Sequence, residues 1–188
     1  MSVLPIVTYD DEILHQPARK VRQNSEDLQR LIDDMFETMH QAEGVGLAAP
    51  QVGKLLRLFV ADADPMIEEE ESHKKRGPIV AINPELVFKA DEEVEMDEGC
   101  LSIPGVSAPV KRPEKITMRY LDREFNEKEL TIDGWWARVL QHEYDHLEGI
   151  LFLDHLSLFK RKMLSSKLKE IAEGRKNAEY ETVPKNVV

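Results

Sequence analysis

Residues 141–149 read QHEYDHLEG, and the spacing inside this stretch decides how the chain is read. His142 and His146 stand four residues apart with Glu143 beside the first. On a helix, positions i and i+4 project from one face, so both imidazoles can reach a single ion. Glu143 then points toward the open side of that ion, where it can take a proton from a bound water. Asp133 is placed to cap such a helix and Gly149 to close it. The bland alternative is an exposed helix face, because HEYDH is also simply polar.

A catalytic site of this kind needs a third protein ligand and leaves the fourth position to water. One protease-like pattern continues as H-E-x-x-H-x-x-G-x-x-H. The chain gives HEYDHLEGILF, where Gly149 fits but Phe152 stands at the last ligand position and cannot bind a metal. A second pattern takes a glutamate from a following helix, but Glu170 and Glu173 fall in a lysine-rich helix with no surrounding motif. The remaining soft donor is Cys100, the only cysteine, in DEGCLSIPG. A lone cysteine is commonly a small core residue. Gly99 beside it lets the backbone come close, and a thiolate with two imidazoles would complete a three-ligand set. A closed structural site would need a fourth ligand, and His15, His40, His73 and His155 lie outside any motif.

Around these stretches the pattern predicts an α+β domain. NSEDLQRLIDDMFETMHQAEG places Leu28, Leu31, Ile32, Met35, Phe36 and Met39 on one helical face, with Asn24 or Ser25 as cap and Gly44 as stop. LLRLFVAD, IVAINPELVF, EKITMRYL and EKELTID read as strands, with Pro84 and Asn126 marking breaks or turns. Residues 62–78 form a charged surface loop, and the acidic run Glu68–Glu71 is a solvated part of it. A last helix starts near Leu156, with Leu156, Phe159, Met163, Leu164, Leu168 and Ile171 as its apolar set. The tail after Gly174 is polar and expected to fray. The expected architecture is therefore largely antiparallel strands packed around a central metal-binding helix, with N- and C-terminal helices. It forms one domain over residues 1–174 and a tail over 175–188.

Composition narrows the function. The 188 residues carry a formal net charge of −11, which argues against DNA or general nucleic-acid binding because phosphates would be repelled. One cysteine allows no intrachain disulfide, and the start MSVLPIVTYDDEIL has neither a basic region followed by an apolar run nor arginine richness. No apolar stretch has the length to span a bilayer. A soluble cytoplasmic protein is expected.

Three stretches then coincide in order: GVGLAAPQ (Gly44–Gln51), EGCLS (Glu98–Ser102) and HEYDH (His142–His146). Together they resemble the peptide deformylase family, over nearly the whole chain. The resemblance implies that Cys100, His142 and His146 bind one divalent metal ion. Ferrous iron is the expected ion, and zinc, nickel or cobalt also suit mixed thiolate and imidazole donors. It implies that Glu143 is general base and acid, and that Gln51 and the Leu101 N–H form the oxyanion hole. Gly44, Val45, Gly46, Gly99 and Val139 are expected along the substrate, a nascent formylated polypeptide. The glycines of GVGLAAPQVG lack the lysine of a P-loop and suit close approach of an extended peptide instead. Trp135–Trp136 and Arg138 precede the metal motif near the family's methionine pocket, although such Trp pairs are commonly core. The resemblance also pairs Glu98 with Arg112. Finally, Lys160, Arg161, Lys162, Lys167 and Lys169 gather on the last helix of an otherwise acidic chain. They are a solvated face or a contact with ribosomal RNA phosphates.

Overall fold

The computed structural model describes residues 1–66, 76–175 and 178–184. In chain order the elements are β1 (Ile6–Val7), α1 (Glu26–Gln41), β2 (Gly46–Ala48), β3 (Leu58–Ala61), β4 (Ile79–Lys89), β5 (Glu93–Cys100), β6 (Ile103–Pro113), β7 (Lys115–Leu121), β8 (Glu127–Asp133), α2 (Gly134–Leu147), α3 (Leu158–Ala172) and β9 (Thr182–Val183). Short 3₁₀ turns join them, among them Ala49–Val52 after β2. Five strands form an antiparallel sheet in the order β2-β3-β4-β7-β8. β5 and β6 form a separate antiparallel hairpin, and β1 pairs with β9 in parallel.

β2 and β3 are buried on both faces, so alternate residues of β3 pack into different clusters, while β8 at the far edge of the sheet is largely exposed. Phe59 and Ala61 of β3 join Ile116, Met118 and Ile132 against Trp136, Ala137 and Leu140 of α2. Leu58 and Val60, pointing the other way, pack with Ile82 against Leu28, Ile32, Met35 and Met39 of α1. A third cluster joins Ile103, Val106 and Val110 of β6 to Phe152, Leu168 and Ile171. α2 lies where these layers meet, and ten of its fourteen residues are buried. The architecture is the α+β arrangement expected, with the motif helix at its centre.

Several local expectations change. α1 is capped by Ser25, whose side chain accepts from Leu28 N, but Glu43 rather than Gly44 takes the left-handed conformation after the helix. Pro84 does not break its strand. It sits in a bulge of β4, and Asn83 before it adopts a positive φ while its side chain bonds both N–H and C=O of Val21. The long β5–β6 hairpin is masked in the sequence by Pro104, Pro109 and Pro113, which a two-stranded sheet tolerates because half its backbone groups need no ladder partner. On α3, Leu168 and Ile171 are buried, whereas Phe159 and Met163 of the expected apolar set are exposed together with Leu158. The tail does not simply fray, since Thr182 and Val183 pair with Ile6 and Val7. The acidic run Glu68–Glu71 lies outside the described residues. No helix among the described residues is long and apolar enough to cross a membrane.

Candidate active site

Three segments converge on one cavity of about 600 Å³. α2 supplies His142, Glu143 and His146. The end of β5 and the turn after it supply Gly99, Cys100 and Leu101. The stretch from Gly44 through β2 to the 3₁₀ turn supplies Gln51. Of the residues singled out in the sequence, Gly44, Val45, Gly46, Gln51, Gly99, Cys100, Leu101, Val139, His142 and Glu143 all line this cavity. His146 lies behind them, 1 % exposed.

The candidate ligand atoms of Cys100, His142 and His146 lie within 4.8 Å of one another, and this is the one such cluster among the described residues. Cys100 Sγ is 3.3 Å from His146 Nε2. His142 Nδ1 is 3.0 Å from Glu98 Oε2. An ionised carboxylate only accepts, so Nδ1 carries the hydrogen and the Nε2 lone pair is left for an ion. Burial, followed by the charge of His142, holds the His146 imidazole well below its usual pKa, which keeps it in the neutral form a metal requires. Burial also acts to lower His142, but its hydrogen bonds to Cys100 and Glu98 outweigh it and raise that imidazole well above its usual value. The donor set fits a divalent ion of borderline softness.

Glu98 anchors this arrangement. Its Oε1 accepts from Arg112 Nε at 2.6 Å and Arg138 Nη1 at 2.7 Å. Oε2 accepts from Arg112 Nη2 at 2.9 Å as well as from His142. The pair expected between Glu98 and Arg112 is therefore bidentate and buried rather than solvated. Burial alone would raise the Glu98 carboxyl. The bonds from His142 and Arg112 reverse this and hold it far below the usual carboxylate range. Arg112 Nη1 continues to Asp145 Oδ2 at 2.7 Å, which also accepts from His155 Nε2 at 2.7 Å.

Glu143 is placed differently. It is 4 % exposed, its Oε2 has no hydrogen-bond partner among the described residues, and burial pushes its carboxyl up to about 7. Its Oε1 lies against Gly46, where a Cβ would come within 2.4 Å. That contact gives the glycine of β2 a steric reason. Gln51 is oriented by its Oε1, which accepts from Ala48 N at 2.8 Å. Its amide nitrogen is thereby turned to the cavity, 3.5 Å from Cys100 Sγ and 3.3 Å from Ser102 Oγ.

The tryptophan pair divides. Trp136 is core and its indole donates to Asp64 at 2.9 Å, while Trp135 lines the cavity. The structure adds Asp145, His155, Ser102 and Tyr180, to which no motif in the sequence assigns a role. Arg138, marked in the sequence only by its position before the motif, bonds Glu98, Val110 O and Val94 O. No local spacing marks these residues, because each meets its partner only through the tertiary fold.

A model of the polypeptide deformylase family matches residues 3–162. Peptide deformylase of Salinibacter ruber is 51 % identical over 187 residues, covering 98 % of this chain and 96 % of that one. The crystal structure of peptide deformylase from Ehrlichia chaffeensis superposes with a TM-score of 0.84 at 42 % identity, over 92 % of this chain and 98 % of that one. The enzyme from Legionella pneumophila gives 0.81 at 44 % identity, over 94 % of this chain and 100 % of that one. The similarity extends over the fold and all three converging segments, and the chain belongs to the polypeptide deformylase family.

Proposed function

We propose that the chain removes the formyl group from the N-terminal formylmethionine of newly made polypeptides, with Cys100, His142 and His146 holding one divalent metal ion and Glu143 moving the proton. The observation that carries this reading is the pairing of a compact thiol–imidazole cluster with a buried carboxylate, one oxygen of which has no partner among the described residues, on the wall of one cavity. A divalent ion in this set supplies a Lewis acid that lets water lose a proton near neutral pH. Glu143, with its carboxyl raised to about 7, is matched to accept that proton and to return it to the departing amine. As the formyl carbon is attacked its oxygen becomes negative, and the Gln51 amide and the Leu101 N–H donate to it. Cleavage of the C–N bond releases formate and a free methionine amine. β2 is the edge strand of its sheet, so an extended substrate can lie along Gly44–Gly46 as an added strand, with Val139 and Gly99 beside it.

Ferrous iron is the ion we expect, one per chain, with zinc, nickel or cobalt as alternatives. The reaction on nascent chains places the protein in the cytoplasm and near ribosomes. On α3, Arg161 pairs with Asp154 and Lys169 approaches Glu173, while Lys162 and Lys167 are exposed and Lys160 is half-buried. This basic helix offers a face to ribosomal RNA, and changing Lys160, Lys162 and Lys167 to Glu should weaken low-salt co-sedimentation with ribosomes.

The test is formate release from a formyl-methionyl peptide, with metal content measured on the same sample. Release that stops on chelation and resumes with metal supports the reading. Cleavage of unformylated peptides instead would identify a peptidase, and bound metal with neither activity would identify a structural site.

A further inference from the structure

The segment after α3 brings a side chain to the active site from outside the region matched by the family model. The Tyr180 hydroxyl donates to Leu101 O at 2.7 Å, and its ring lines both the active-site cavity and a neighbouring groove bordered by Glu43 and Gly105. Burial pushes the phenol up, so the hydroxyl remains a donor. The next residue is tied down as well, because Ile6 N donates to Glu181 O at 3.0 Å and β9 pairs with β1. Just after β1, Tyr9 N donates to Ser102 O at 2.9 Å. Leu101 and Ser102 are the two residues between the paired Cys100 and Ile103 at the tip of the β5–β6 hairpin. Both carbonyls of that tip are therefore held from outside it, one from each end of the chain.

The peptide plane between the two central residues of a tight turn is the one that flips between turn types. Here that plane carries Leu101 O, the atom Tyr180 holds. The Leu101 N–H, the proposed donor to the substrate oxygen, lies in the adjoining Cys100–Leu101 plane, which shares the Leu101 Cα with the plane that Tyr180 holds. We propose that Tyr180 is a positioning residue for deformylation: by holding the Leu101 carbonyl it fixes the Leu101 Cα, and so the adjoining Cys100–Leu101 plane whose N–H is aimed at the formyl oxygen. This rests on the function proposed above. Tyr180 acts through the turn and takes no part in proton transfer.

The test compares the metal-loaded wild type with Tyr180→Phe, which keeps the ring and removes one hydrogen bond. Loss of such a bond lowers kcat about 3- to 10-fold, with KM within about twofold and metal content unchanged. Amide hydrogen exchange around Leu101–Ile103 is faster in the variant. Unchanged kcat and unchanged exchange, even with a lowered Tm, would show that Tyr180 only anchors the tail. A raised KM at constant kcat would show that it is a substrate wall, and would equally overturn the proposal. If the wild type releases no formate, the functional reading fails, while the exchange comparison still decides whether Tyr180 holds the turn.

Discussion

Glu98 and Glu143 are both buried carboxylates on one cavity, and the fold treats them in opposite ways. Glu98 accepts four hydrogen bonds, from Arg112, Arg138 and His142, and its carboxyl lies far below the usual range despite burial. Glu143 has an oxygen without a partner among the described residues, and burial raises its carboxyl to about 7. A charge that is always present can orient a ligand imidazole, whereas a carboxyl that titrates near neutrality can exchange a proton with substrate. Partners, not burial, thus separate an acid held as a fixed charge from one left free to exchange a proton.

Removing Glu98 should give the largest effect. Glu98→Ala leaves Arg112 and Arg138 buried without their carboxylate, and breaking a buried pair in this way costs about 3–5 kcal/mol. Urea unfolding of the chelated protein measures it. A loss under about 1 kcal/mol, typical of exposed pairs, would erase the contrast.

Gly46→Ala acts on the other acid. The new Cβ would stand 2.4 Å from Glu143 Oε1, so the carboxylate must shift. A displacement of this size should lower kcat about 100-fold while metal content stays at wild-type level. Undiminished turnover would mean that the position of Glu143 is not critical.

The smallest effect is in pH dependence, and its sign differs for the two acids. Glu143 has a folded-state value of about 7 against an ordinary 4.5, so the folded chain holds a proton that the unfolded chain has lost. Its contribution to stability is complete below about pH 4.5 and is lost as pH rises through about 7. Glu98, depressed in the fold, contributes above its unfolded value and loses that contribution as pH falls. Relative to chelated wild type, chelated Glu143→Gln should therefore gain about 1–3 kcal/mol between pH 4.5 and pH 7.5. A difference that is flat with pH would contradict the raised value.

The three motifs are legible in the sequence because their chemistry is local. His142 and His146 are one helical turn apart, and Gly44, Gly46 and Gln51 fall within eight consecutive residues. Even so, the sequence does not show why Gly46 must lack a side chain, since the atom it makes room for belongs to α2. Arg138, Asp145 and His155 are obscure for a related reason: Glu98 meets Arg138 and Arg112 meets Asp145 only across the fold, and His155 joins through Asp145. On α3 the apolar set is wider than the face that packs. Leu168 and Ile171 are buried while Phe159 and Met163, toward the opposite side of the helix, are exposed, so an apolar count alone does not locate the contact. Tyr180 is hidden in a polar tail, where a two-residue strand gives no periodic signal.

In the proposed function Cys100, His142 and His146 hold the metal while Glu143 moves the proton without being a ligand. Bound metal and formate release, measured on the same samples of wild type and Glu143→Gln at neutral pH, test it most directly. One ion per chain is expected in both proteins, with turnover about 10²–10⁴-fold lower in the variant. Loss of the ion from the variant, or turnover close to wild type, would contradict it.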